Sequence, residues 1–203
     1  MNREEQKKLK NLKNILPKIL KDKIKNYPFR KKDYMIWYSE NELFFCLLIT
    51  VNVTQDGCCV CNSTETVKPL WLDELLWDFL NMENNKTEPL SLRAVGSFAV
   101  NGAEIFTDSQ ELKDWDIGEL DKCVDGYLAH FSNSVQTVTI DDFMKNIKSK
   151  QYHSELREAL TYVYNREYFK ALNCLQGLGE GVFQNGELFI NNEIREFCKN
   201  ELK

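Results

Sequence analysis

The chain has 203 residues, with 26 Lys and Arg against 31 Asp and Glu, which gives a formal net charge of -5. Hydrophobic residues make up 43% and charged residues 28% of the sequence, values that exclude collagen-like, disordered and membrane classes. The length predicts one domain, since a domain has about 150 residues. Nine glycines and four prolines are few for this length, which favours helix over a turn-rich all-β fold.

Several features predict a cytoplasmic protein. The longest apolar run, residues 43–51, is shorter than the ~20 residues that a spanning helix needs. The first residues lack the apolar segment and cleavage site of a secretory signal, so no export is predicted. The seven cysteines are odd in number and scattered along a chain long enough to bury its own core, and we therefore expect free thiols.

Charge is distributed unevenly along the sequence. Residues 1–32 hold 12 Lys and Arg against 3 Asp and Glu, whereas the rest of the chain holds 14 against 28. A basic segment of this kind binds nucleic acid or anionic lipid, or lies as a helix on the acidic remainder of its own protein. The second interpretation is favoured, because the basic segment also carries an apolar stripe.

The N-terminal segment predicts an amphipathic helix over residues 9–24, followed by Tyr27-Pro28. Pro17 removes one main-chain hydrogen bond and predicts a kink or a division into two short helices. The apolar residues recur at steps of three and four: Leu9, Leu12, Ile15, Leu16, Ile19, Leu20 and Ile24.

From Phe29 the apolar period becomes two, which predicts three antiparallel strands over residues 34–38, 43–54 and 58–67. Asp56-Gly57 predicts a two-residue type I′ turn that places Gln55 opposite Cys58. In that register Cys59, Cys61 and Ser63 lie on the more polar face of the sheet.

After Pro69, residues 70–82 have helical spacing. A second hairpin is predicted, with residues 91–100 and 103–106 joined at Asn101-Gly102, and it brings the sheet to about five strands.

The remainder of the chain, from Asp108 onward, is predicted to be helical. Asp116 with Glu119 resembles a capping box, and residues 154–164 and 167–178 predict a pair of short antiparallel helices. A small hairpin at Asn185-Gly186 and a terminal helix follow. The predicted fold is a single α+β domain over residues 1–203, with helix and antiparallel sheet in 1–107 and a helical subdomain in 108–203.

Few residues carry recognisable chemistry. The Cys58-x-x-Cys61 spacing lies inside a predicted strand, which sends its two thiols to opposite faces and favours packing over zinc or redox chemistry. The two histidines, His130 and His153, are interpreted as structural or surface residues. The sequence contains none of the common catalytic or phosphate-binding motifs, and no metal or cofactor is predicted.

One group of residues forms a candidate binding site on the predicted helix 70–82. Glu74 and Asp78 share one helical face, and carboxylates beside aromatic rings suit ligand binding or glycan chemistry. The alternative interpretation is one core tryptophan with a surface carboxylate pair. The predicted binding residues are Trp71, Asp73, Trp77, Asp78 and Arg93.

Four segments follow the Lys-rich first helix in a characteristic order: FRKKDYMIWY, KPLWLDELLWDF, SLRAVGSF and an alanine-containing helix pair. This order resembles that of small cytosolic bacterial α+β proteins, some of which look like toxin immunity partners. Strong opposite charge fields in a sequence without a catalytic constellation predict a non-catalytic protein-binding module, immunity-like or regulatory, with a protein partner.

Two other functions are kept open. One is an enzyme that uses Asp73, Asp78 and Arg93 on a small molecule or glycan, and the other is binding of nucleic acid or anionic lipid through Lys7–Lys32. The second short helix of the pair, EYFKALNCLQGL, carries one Lys against one Glu, which argues against DNA reading because phosphate contacts dominate DNA affinity. The sequence leaves the oligomeric state open.

Overall fold

The computed structural model describes residues 1–149 and 152–203, and it confirms an α+β fold with an antiparallel sheet. The helices of the described residues are α1 (Arg3–Lys23), α2 (Leu70–Phe79), α3 (Ser91–Val95), α4 (Ile117–Thr137), α5 (Ile140–Asn146), α6 (Ser154–Tyr164), α7 (Tyr168–Cys174) and α8 (Ile190–Glu201). The strands are β1 (Arg30–Lys32), β2 (Met35–Glu40), β3 (Leu43–Val53), β4 (Cys59–Pro69), β5 (Ala103–Glu111), β6 (Gln184–Asn185) and β7 (Leu188–Phe189).

The main sheet has five strands in the order β1-β2-β3-β4-β5, so every strand pairs with its neighbour in sequence. β3 and β4 are the longest, and alternate side chains along each strand are buried. None of the described helices is long and apolar enough to cross a membrane.

The chain divides into two compact units. Unit 1 comprises Met1–Asn41, Phe45–Val67 and Glu104–Thr139, and it contains α1, α4 and most of the sheet. Unit 2 comprises Glu42–Phe44, Lys68–Ala103 and Ile140–Lys203, and it contains the other helices and the β6-β7 hairpin. The single-domain organisation with a boundary after residue 107 stays a prediction.

Helix α1 packs within unit 1 and is continuous through Pro17, so the predicted division into two short helices is wrong. Burial of Leu12, Leu16 and Leu20 on one face offsets the lost hydrogen bond, since tertiary packing supplies most helix stability in proteins. Lys23 Nζ lies 2.9 Å from Asp121 and 2.7 Å from Asp125 of α4. The basic helix therefore lies on acidic residues of its own unit.

The turn between β3 and β4 differs from the predicted type I′ turn. Gly57 has a φ of +89° whereas Asp56 has no positive φ, and Thr54 N donates to Cys58 O at 2.9 Å. Thr54, not Gln55, is therefore opposite Cys58. A shift of one residue exchanges the two faces of a strand, and Cys59 and Cys61 are accordingly buried rather than on a polar face.

The prediction of a hairpin at Asn101-Gly102 is also wrong, because its first strand, residues 91–100, is not formed. Residues 91–95 form helix α3, entered by hydrogen bonds from Leu92 N to Pro89 O and from Arg93 N to Leu90 O. The fifth strand of the sheet is β1 instead. The Arg93 side chain is buried and bonded to residues of α2. These tertiary contacts override the local β-propensity of the segment.

Several other predicted elements agree with the structure, and one boundary differs. Asp116 caps α4, because its side chain accepts a hydrogen bond from Glu119 N at 3.0 Å. The predicted capping box is only half formed, since Glu119 Oε2 accepts from Lys113 N rather than from Asp116 N. β5 extends to Glu111, so the helical part begins later than predicted. The α6–α7 pair, the hairpin around Gly186 and the terminal helix are confirmed, and Asn191 of α8 is fixed by a bond from its main-chain N to Glu180 O.

Candidate functional site

Of the predicted binding residues, Asp73 and Arg93 meet inside unit 2. Asp73 is fully buried and accepts hydrogen bonds from Lys68 Nζ at 3.0 Å and Val100 N at 2.8 Å. Arg93 Nη1 lies 3.5 Å from Asp73 Oδ2, and Arg93 Nη2 donates to Glu74 at 2.8 Å. Lys68 also donates to the carbonyl oxygens of Arg93 and Val100. This Lys68–Asp73–Arg93 network joins α2 to the segment that ends at residue 100.

The other three predicted residues, Trp71, Trp77 and Asp78, each have partners other than the Asp73 carboxylate. Trp77 is buried and donates from Nε1 to Phe98 O at 2.7 Å, with the Arg93 guanidinium 4.7 Å from its ring. Trp71 stacks on Tyr164 with ring centroids 4.0 Å apart, and Asp78 pairs with Lys86. The core interactions account for Asp73, Trp77 and Arg93, and a ligand site at these five residues stays a prediction.

A groove in unit 2 is a stronger candidate site. Its volume is about 970 Å³, and it lies between the start of α6, the loop after α7 and the start of α8. Three of its side chains are exposed and apolar: Tyr152 at 78%, Val182 at 67% and Leu178 at 41%. The residues that line the groove are Tyr152, His153, Ser154, Glu155, Leu156, Leu178, Gly179, Glu180, Gly181, Val182 and Asn191.

The loop that forms one wall of the groove is held in place by α8. Arg195 Nη2 donates to the carbonyl oxygens of Leu175 at 2.8 Å and of Leu178, while Asn191 Nδ2 donates to Gly179 O at 3.0 Å. Gly181 has a φ of +99°, and a Cβ there would lie 2.6 Å from Ile190 Cγ2. A residue with a side chain would be strained at this position, so the conformation of the wall depends on glycine here.

His153 lies at the N-terminal end of α6 and contributes to the groove. Its backbone has a φ of +66°, and its ring lies 4.8 Å from that of Phe183. Nδ1 is buried and has no hydrogen-bond partner among the described residues. Burial, with smaller effects from Lys68 and Arg157, lowers the pKa of His153. The imidazole is therefore neutral at pH 7, and the groove gains no positive charge from it.

This lowered pKa predicts a pH dependence of stability. In the unfolded chain the His153 imidazole binds a proton with its ordinary pKa of about 6.5, whereas in the folded protein it binds the proton less readily. The contribution of His153 to the free energy of unfolding is therefore fully present above pH 6.5, and it is lost as the pH falls toward the pKa of the folded protein. We expect the unfolding free energy of the wild-type protein, measured in urea at pH 7.5 and pH 5.5, to decrease more than that of His153→Asn.

Asparagine is the appropriate replacement because it tolerates the left-handed backbone conformation of residue 153. If the wild type and His153→Asn lost equal stability between pH 7.5 and pH 5.5, the assignment of this pH dependence to His153 would be contradicted.

Unit 1 contains a second polar cluster that the sequence did not reveal. Glu65 of β4 is fully buried, and its carboxylate lies 2.8 Å from His130 Nδ1 and accepts from Ser134 Oγ at 2.6 Å. The His130 ring stacks on Phe106 at 3.8 Å and its side chain is 41% exposed. Ser134 Oγ also lies 3.4 Å from His130 Nδ1, so Glu65, His130 and Ser134 form one hydrogen-bonded cluster. The alternation of β4 is the signal that places Glu65 on the buried face, once the register of the strand is known.

The seven cysteines are free thiols, as expected. Burial raises the pKa of Cys61 and Cys174 to about 12, which suppresses the reactive thiolate form at neutral pH. No group of three or more potential metal ligands is present in the described part of the chain. These thiols have the character of packing residues.

Comparison with known proteins provides no assignment for either cluster. No protein-family model matches the chain, and no curated protein or solved structure matches it significantly.

Proposed function

We propose that this chain is a non-catalytic protein-binding module, immunity-like or regulatory, and that the unit 2 groove receives a segment of its partner. The observation that carries the proposal is the combination of exposed apolar side chains with a loop wall fixed by Arg195 and Asn191. Preformed grooves bind with less loss of conformational entropy than mobile ones.

The distribution of exposed apolar side chains supports this location. Among the described residues, ten of the thirteen exposed large hydrophobic residues belong to unit 2, and three of these ten, Tyr152, Leu178 and Val182, line the groove. Contiguous exposed apolar surface marks interaction sites more often than scattered single residues do. Free thiols suit a reducing compartment, so we place the protein in the cytosol.

The basic N-terminal segment is a less favourable site for nucleic acid or anionic lipid. Its apolar stripe is buried and Lys23 is paired with two aspartates, which leaves less of the helix for a ligand. In the unit 2 groove, by contrast, the apolar side chains of Tyr152 and Val182 are mostly exposed and can contact a partner.

Selection from a phage-displayed library of random peptides tests the proposal even though the partner is unidentified. We expect peptides to be enriched on the wild-type chain, and their synthetic counterparts to bind in fluorescence anisotropy. Val182→Asp is expected to weaken their binding by about tenfold or more, because it places a charge in the apolar contact.

Phe169→Asp is the matched control, since Phe169 is 68% exposed and Val182 is 67% exposed, but Phe169 does not line the groove. This variant is expected to bind like the wild type. Enriched peptides that bind Val182→Asp as tightly as the wild type, or failure of any peptide to be enriched, would overturn the proposal.

A further inference from the structure

We propose that the groove of unit 2 selects a cationic peptide segment, in which an apolar side chain is flanked by Lys or Arg. This inference rests on the proposed function and specifies the chemistry of the partner. The apolar residue would contact Tyr152, Leu178 and Val182, and the flanking cations would face Glu155 and Glu180.

The charge of the groove lining is one-sided. Glu155 and Glu180 are exposed and line the groove, and no Lys or Arg is among the described residues that form it. Neither carboxylate forms an ion pair within residues 1–149 and 152–203, although Ser154 Oγ donates to Glu155 at 3.0 Å. Glu155 also interacts electrostatically with the buried Arg157. Two exposed carboxylates that form no ion pair with a described residue, beside apolar side chains, favour a positively charged occupant.

The basic side chains of the surrounding elements already have partners. Lys148 Nζ lies 3.3 Å from Glu158, and Arg157 is fully buried among carbonyl oxygens. Arg195 is bonded to carbonyl oxygens of the loop wall. His153 is neutral at pH 7, as its lowered pKa indicates. Among the described residues, these three basic side chains therefore have partners other than Glu155 and Glu180.

The apolar side chains of the groove and its two carboxylates, Glu155 and Glu180, have different effects on binding. Desolvation of exposed apolar side chains supplies affinity. Exposed carboxylates at the edge contribute little affinity in high salt, but they discriminate against acidic segments and accelerate encounter with basic ones. A partner that matches both parts is an apolar residue within a lysine- or arginine-rich segment.

Two peptide libraries of equal length test this inference. In one the residues around a central apolar position are Lys or Arg, and in the other they are Asp or Glu. We expect binders to the wild-type chain only from the basic library, with affinity that decreases as the NaCl concentration rises. The variant with both Glu155→Lys and Glu180→Lys is expected to bind them at least about tenfold more weakly.

Two further variants separate local charge from other effects. Glu187→Lys changes one exposed carboxylate outside the groove and is expected to bind like the wild type. The pair Glu155→Gln with Glu180→Gln avoids new positive charge near Arg157, and it is expected to give an affinity between those of the wild type and the lysine variant. Circular dichroism confirms that each variant is folded before binding is compared.

The outcomes distinguish this inference from the proposed function. Binders from both libraries that are lost in Val182→Asp, but that do not respond to Glu155 and Glu180, would overturn the cationic preference and leave the docking groove standing. Absence of any binder that depends on Val182 would overturn both.

Discussion

Replacing Asp73 by Asn is expected to lower the free energy of unfolding by about 3–5 kcal/mol. The carboxylate of Asp73 lies 2.8 Å from Lys68 Nζ and 3.5 Å from Arg93 Nη1. Lys68 is 3% and Arg93 is 7% exposed, so neither cation gains water when the carboxylate is removed. Urea denaturation followed by circular dichroism measures the loss.

The source of this loss can be identified with a second substitution. In the Lys68→Met/Asp73→Asn double variant the buried cation is removed along with its partner, and Arg93 keeps its bond to Glu74 at 2.8 Å. We expect the double variant to be less destabilised than the two single variants together, because an unpaired buried charge costs more than an absent pair.

Asp78→Asn is the matched control, because the same substitution is made five residues further along α2. Asp78 is paired with Lys86, and their side chains are 44% and 36% exposed. An exposed ion pair contributes about 0–1 kcal/mol, so a small loss is expected. Equal losses at Asp73 and Asp78 would contradict the assignment of Asp73 to a buried charge network.

The elements of this fold that depend on local pattern could be predicted from the sequence. The apolar stripe of α1, the alternation of β3 and β4 and the N-cap at Asp116 all encode their structure within a few residues. The helix pair α6–α7 is predictable for the same reason. These signals require no information about distant contacts.

The predictions are wrong where one residue or one distant contact decides the structure. Asp56-Gly57 fits a two-residue turn in sequence, but the chain forms a three-residue turn with only Gly57 at positive φ. That single residue places Cys59 and Cys61 on the buried face. Residues 91–95 are helical because Arg93 is bound to α2, and this contact has no local signature.

The candidate groove could not be predicted from the sequence. Its walls come from residues 152–156, residues 178–182 and Asn191, which are separated by two helices and a hairpin. Sequence patterns indicate polarity and turns in each segment, but not their convergence. Asp73 and Arg93 lie 3.5 Å apart in a buried network that also contains Lys68, a residue that the prediction does not include.

Replacing Arg157 by Met is expected to lower the free energy of unfolding by about 3 kcal/mol or more. Arg157 is fully buried, and its five N–H groups make five hydrogen bonds, to Ile147 O, Asn101 O, Gly102 O, Ser149 O and Ser149 Oγ. Burial lowers the pKa of Arg157 to about 10, so these bonds offset a cost of desolvation. Methionine retains an apolar stem but leaves four carbonyl oxygens without their donor.

Arg166→Met provides the control, because it makes the same substitution at an exposed position that follows the same helix. A change within about 0.5 kcal/mol is expected there. Arg157→Lys should recover only part of the lost stability, since an ammonium group has three donors and cannot reach all of these oxygens at once. Full recovery with lysine, or a loss at Arg157 no larger than at Arg166, would show that positive charge or stem packing, rather than the guanidinium bonds, holds residues 101–102 and 147–149 together.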